Sequence, residues 1–134
     1  MKNYLGRMVL LVRDYDEALT FYQTDFGCKI LFDKKTETGG RYLHIGFDAT
    51  DLTGIWFLKA ETEEEQKLVG NQTGGQPTLV IYTDELHELH KHLVHNNVTI
   101  RIGPIDDADY SFFHCYDLYE NEILVVQLHP HKNL

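Results

Sequence analysis

Eight histidines stand among 134 residues. Imidazole is both a common transition-metal ligand and the side chain that changes charge near neutral pH. Four of them, His87, His90, His92 and His95, share one short stretch in which Leu86, Leu89 and Leu93 recur at helical spacing. At about 100° per residue, His90 falls beside the leucine stripe and His87 at its edge, while His92 and His95 point toward water on different sides. The four do not converge on one ion. HELH also lacks the separation that HExxH uses to bring two histidines onto one metal, so the stretch reads as a solvated helix face. His129 and His131 flank Pro130 and read as an exposed tail with incidental metal affinity at most.

His44 and His114 are different, because each lies in a strand-like run: RYLHIGF at residues 41–47 and SFFHCYD at residues 111–117. A strand histidine is ordinarily a hydrogen-bonded structural residue, but one that borders a cavity acts as an acid or base. These two are the candidate catalytic residues. Cys115 beside His114 suggests a nucleophile pair, yet strand neighbours point to opposite faces and do not touch, so Cys115 is expected to be buried and structural. The same alternation sets Phe113, Cys115 and Asp117 against Phe112, His114 and Tyr116, and leaves open which set faces a cavity.

The elements that position these residues form one pattern written twice. Residues 8–13 (MVLLVR) are a compact aliphatic run ending at Asp14, a natural helix N-cap. Tyr15, Ala18, Leu19, Tyr22 and Phe26 then fall on one helical face, and Gly27 supplies a left-handed stop. Strand-like runs follow at residues 28–33, 41–47 and 53–59. About seventy residues later the order restarts. Residues 78–82 (TLVIY) lead to Asp84 as the expected cap, Leu86, Leu89 and Leu93 stripe a helix, and Asn97 is its left-handed stop. Further strands are expected at 98–102, 111–117 and 123–129. Between the halves, residues 61–76 pass from an acidic start suited to a short helix into glycine-rich turn material, a linker. NQTGGQ lacks the lysine and following helix of a phosphate-binding loop.

Composition limits the function classes. With 43% hydrophobic and 25% charged residues the chain is an ordinary globule. Its length suits one domain with modules at about 7–60 and 77–129. A formal charge of -9 opposes binding to phosphate backbones and anionic membrane surfaces, which leaves nucleic acid and membranes out as partners. No apolar run reaches the roughly 20 residues of a bilayer span. Two widely spaced cysteines and a short polar start imply a reduced, cytoplasmic setting.

Two βαβββ units in this length resemble the vicinal-oxygen-chelate superfamily of glyoxalases, bleomycin-resistance proteins and extradiol dioxygenases. LLVRDYDEALTFYQTDFG at residues 10–27 is similar to its opening pattern, and DLYENEILVVQ at residues 117–127 to its closing strand turn. GNQTGG at residues 70–75 resembles an uncharacterised bacterial branch. The resemblance implies an α+β fold in which two βαβββ modules form an open, cup-shaped mixed sheet with helices outside. Metal-dependent members hold a divalent ion with His, Glu or Gln from four strands. Carried over, those positions are Arg7, Trp56, Pro77 and Leu124. None suits a metal, so no cofactor is expected.

The resemblance further implies that Arg7, Val9, Leu11, Trp56, Leu79, Ile81, Leu124 and Val126 face the cup. Such a lining suits an aromatic small molecule with an anionic or carbonyl group, bound through Arg7, Trp56 and Leu124. A metal-independent binding protein acting as a homodimer is the expectation. Three alternatives stay open: a lyase, isomerase or dioxygenase whose metal ligands lie elsewhere, a metal-free enzyme using His44 or His114, and an interaction module with a collapsed cup in which Arg7 pairs with a carboxylate.

Overall fold

The computed structural model describes residues 1–130, so His131 lies outside the described residues. The structure is α+β, and the chain divides into two compact units between Val69 and Gly70. Unit 1 runs β1 (Arg7–Val12), α1 (Tyr15–Phe26), β2 (Lys29–Lys35), β3 (Arg41–Gly46), β4 (Gly54–Lys59) and a short α2 (Glu63–Leu68). Unit 2 runs β5 (Leu79–Tyr82), α3 (Leu86–His95), β6 (Ile100–Asp106), β7 (Tyr110–Tyr116) and β8 (Glu122–Leu128). The strands pair in the orders β1-β4-β3-β2 and β5-β8-β7-β6, two four-stranded mixed sheets. In each, the first and last strands of the module are parallel neighbours and the other pairs are antiparallel. The βαβββ order is therefore present twice.

In unit 1 local chemistry sets the helix. Asp14 takes the extended conformation of an N-cap, and its carboxylate accepts the Glu17 N–H at 2.8 Å. Gly27 is left-handed, with φ 69°, and returns its N–H to the Gln23 carbonyl. Between these caps α1 buries Ala18, Tyr22 and Phe26. Tyr22 meets Phe57 at 5.7 Å between ring centroids, over a sheet face made by Leu10, Val12, Leu43, Ile45 and Phe57, all fully buried.

The helix of unit 2 starts differently from its sequence signal. Asp84 does not cap it; α3 begins after Glu85, which makes no side-chain capping bond. The first turn is held from across the chain by Gln127, whose Oε1 accepts the Leu86 N–H and whose Nε2 donates to the Asp84 carbonyl, both at 3.0 Å. A distant amide takes the place of the local carboxylate, and α3 begins one residue later than the seventy-residue spacing predicts. Asn97 does adopt the left-handed stop, with φ 63°. The acidic start of the linker forms α2, capped by the Thr62 hydroxyl on the Glu65 N–H. Gly70 is obligatory there, since its φ is 78° and a Cβ would collide with the Tyr119 carbonyl.

Strand pairing defines which side chains share a face. In unit 1, Val9 pairs with Trp56 and His44 stands opposite Trp56 on the other side. In unit 2, Val80 pairs with Leu124 and His114 stands opposite Leu124. His44 and His114 thus occupy equivalent positions, as do Trp56 and Leu124. The partner of Arg7 by this register is Thr78 rather than Pro77, one residue later than the seventy-residue spacing predicts. Arg7, Val9, Leu11 and Trp56 lie on the helix-free face of their sheet, and Leu124 and Val126 on that of theirs. Leu79 and Ile81 do not: they pair with Ile123 and Val125, which are fully buried on the α3 side. Val80 and Tyr82 take the helix-free face instead.

Candidate functional site

On the helix-free face of unit 1, Arg7 lies beside Gly54. The missing side chain there leaves a path across β4 to β3. Arg7 uses it: its Nε–H donates to His44 Nδ1 at 3.0 Å, and Nη1 donates to the Gly6 and Leu52 carbonyls at 2.9 and 2.6 Å. A guanidinium only donates, so Nδ1 of His44 is an acceptor and the ring's proton sits on Nε2. Burial first, and the Arg7 charge second, hold His44 below the ordinary imidazole range. The Nε2–H of His44 and the Nε1–H of Trp56 are both buried and without a partner among the described residues. Their rings lie 5.4 Å apart, and Phe32 and Tyr42 extend the aromatic row at 5.5 Å from His44 and 6.1 Å from Trp56. A bulge at Leu31 in β2 lets Leu31 lie over Gly46 and Gly54. This face presents donors in an apolar surround.

The equivalent face of unit 2 has the opposite polarity. Glu122 stands where unit 1 has Gly54 and is 8% exposed. Its Oε2 accepts the Nδ1–H of His114 at 2.8 Å, and Arg101, at the equivalent β6 bulge, reaches the same oxygen at 3.5 Å. With the carboxylate on Nδ1, the outward nitrogen Nε2 of His114 is the acceptor of the neutral ring. His114 also borders a hollow of about 190 Å³ whose other walls are Tyr110, Phe112, Leu124 and Val126. The alternation in β7 is resolved by burial: Phe113 and Cys115 are fully covered on the α3 side, while Phe112, His114 and Tyr116 take the helix-free side.

The structure gathers Arg7, His44 and Trp56 into one cluster and places His114 beside Leu124. Glu122 was missed by the sequence reading. Its signal is present in the sequence, since a carboxylate at the start of an otherwise apolar strand next to a histidine strand invites a pair, whereas the family pattern points to Leu124. The helix histidines stay apart. His87 Nε2 meets Asp106 at 3.0 Å, His90 packs on Phe113 at 5.4 Å, and His92 is 3.3 Å from Asn96. His129 is not a free tail: it is bonded to Ser111 Oγ at 2.7 Å, and its N–H donates to the Asp109 carbonyl. Burial pushes the Cys28 thiol up to about 12, which removes it as a nucleophile.

The chain belongs to the Glyoxalase/Bleomycin resistance protein/Dioxygenase superfamily, whose model matches residues 4–125. A protein of Shewanella frigidimarina whose function is uncharacterised is 25% identical over 130 residues, 96% of both chains. Among solved structures, UcmS2 superposes with a TM-score of 0.80 at 18% identity, over 94% of this chain and 98% of that one. TnmS3, an antibiotic binding protein from Streptomyces sp. CB03234, gives 0.75 at 19% identity over 96% and 98%. These structural likenesses establish the fold. Arg7 and Trp56 in unit 1 and Thr78 and Leu124 in unit 2 hold equivalent strand positions by register, and their side chains are not the His, Cys or carboxylate donors that usually hold a divalent ion. Among the described residues no group of three or more His, Cys, Asp or Glu is placed to hold one. No helix among them is long and apolar enough to cross a membrane.

Proposed function

We propose that this protein binds a small organic molecule without a metal, through an acceptor oxygen of a carboxylate or carbonyl group held by Arg7, His44 and Trp56. The observation that carries this reading is the pair of buried, unpartnered N–H groups on His44 and Trp56 beside the Arg7 guanidinium. A buried donor without a partner costs about 1–3 kcal/mol, and one oxygen-rich group answers both. Phe32 and Tyr42 offer flat apolar surface for a ring, so the ligand class is an aromatic carboxylate or ketone. On unit 2, Leu124 holds the strand position equivalent to Trp56 and offers an apolar surface of its own. A reaction on a bound molecule would draw on His44 or His114 for proton transfer. The antibiotic-binding relative supports a binding role for this fold, and the superfamily resemblance adds the homodimer, which light scattering tests. The cytoplasm suits Cys28 and Cys115, neither of which is in a disulfide.

The test pairs elemental analysis of protein purified without chelators with melting curves in benzoate, acetophenone and toluene. Metal-free protein with a Tm that climbs with benzoate or acetophenone concentration, and an Arg7→Leu variant that loses the benzoate response, is the expected result. A stoichiometric metal, or indifference to all three compounds, overturns the reading.

A further inference from the structure

We propose that the helix-free face of unit 2 is a separate subsite for a hydroxyl-bearing ring, a phenol or hydroxylated heteroaromatic, whose O–H donates to Nε2 of His114. The inference deepens the small-molecule reading above, but it rests on different residues. Its first support is orientation. Glu122 takes the Nδ1–H of His114 at 2.8 Å, and a carboxylate only accepts, so the ring is fixed with its remaining nitrogen away from Glu122. The second support is the surface around that nitrogen. The hollow of about 190 Å³ is otherwise walled by Tyr110, Phe112, Leu124 and Val126, and the exposed Tyr82 continues the same face beside Val126. An acceptor nitrogen set among aromatic and aliphatic side chains matches a ring that carries a donor.

Charge narrows the class. Arg101 stands at 3.5 Å from the Glu122 oxygen and balances it, so the cluster carries no surplus charge when the imidazole is neutral and selects a neutral donor over an ion. A carboxylate would meet the lone pair of Nε2 and the nearby Glu122. This is the converse of unit 1, where the unpartnered ring nitrogens of His44 and Trp56 among the described residues are donors. Neither histidine site uses the superfamily's metal positions for its imidazole, and the pairing of His114 with Glu122 is a feature of this chain's own residues.

The experiment titrates protein carrying ¹⁵N-histidine with p-cresol, 4-methylanisole and benzoate, following the ring nitrogens of His114 and His44. 4-Methylanisole is the methyl ether of p-cresol: it keeps the ring and the oxygen and replaces the O–H donor with a methyl group. The expected result is a shift at His114 Nε2 with p-cresol and binding about tenfold tighter than 4-methylanisole, the value of one well-made hydrogen bond. His114→Leu should abolish that preference, and Arg7→Leu should leave it. If His114→Leu does not fold, the wild-type nitrogen shifts decide. Equal binding of p-cresol and 4-methylanisole, a preference that survives in His114→Leu, or a response of His114 to benzoate in place of p-cresol overturns the inference. Silence of His44 toward benzoate would sink the Arg7 reading alone and leave the cresol result standing.

Discussion

The two halves of this protein share a backbone plan and differ in the sign of what they offer. His44 and His114 hold equivalent strand positions, yet one receives a hydrogen bond from Arg7 and the other gives one to Glu122. The source of the difference lies in three neighbouring positions. Unit 1 places Leu31, Gly46 and Gly54 where unit 2 places Arg101, Tyr116 and Glu122. Small residues under a leucine clear a path for Arg7 in the first, and a balanced ion pair fills the same ground in the second. One duplicated scaffold thereby carries a donor cluster in one unit and a carboxylate-bound histidine in the other, by changing three side chains on the helix-free faces.

The helix-side positions should respond alike, because burial there is equivalent. Phe57→Ala and Phe113→Ala remove rings that are fully covered, and each should cost about 3–5 kcal/mol in denaturant unfolding. A much smaller loss in one unit would show that its core is not built as the register implies. Converting unit 1 toward unit 2 should fail next. A Cβ at Gly54 would lie 2.5 Å from the Ile45 carbonyl oxygen and from Leu31 Cδ1, so Gly54→Ala should destabilise by about 1–3 kcal/mol. Tolerance of that change would contradict the close approach of Ile45 and Leu31 over Gly54.

Removing the partners of the histidines should do less to stability and more to their chemistry. Glu122→Gln weakens a charge-assisted bond and should cost about 1 kcal/mol, with the His114 ring proton less strongly held on Nδ1, since an amide oxygen still accepts it. Smallest is the pH effect of His44. Its folded value is lowered from the ordinary 6.5 by burial and then by Arg7, so its contribution is present above that value and is lost as pH falls through the lowered one. Arg7→Leu removes the lesser cause, and an NMR titration should find His44 moved up while remaining below the ordinary range. A fall would contradict the assigned causes.

Much of the plan was legible because local chemistry wrote it. Asp14 and Gly27 bound α1 as their types require, Asn97 stops α3, and the strand order repeats in register with them. What was not legible came from contacts far apart in sequence. Gln127 holds the first turn of α3 from 41 residues away, and the β5–β8 register turns Leu79 and Ile81 toward the helix and sets Thr78 rather than Pro77 at the Arg7 position of the repeat. His129 was read as tail because its partner Ser111 lies across the sheet. The candidate site divided the same way. Arg7, Trp56, His44, His114 and Leu124 could be singled out from strand context and family pattern, whereas the bond from Arg7 to His44 depends on a glycine two residues before Trp56, and Glu122 emerged only with the β7–β8 register.

The most direct test of opposite polarity is a long-range ¹H–¹⁵N spectrum of ¹⁵N-histidine protein above neutral pH, which reports the nitrogen that carries each ring proton. His44 should show its proton on Nε2 and His114 on Nδ1. The same tautomer at both positions would contradict the account.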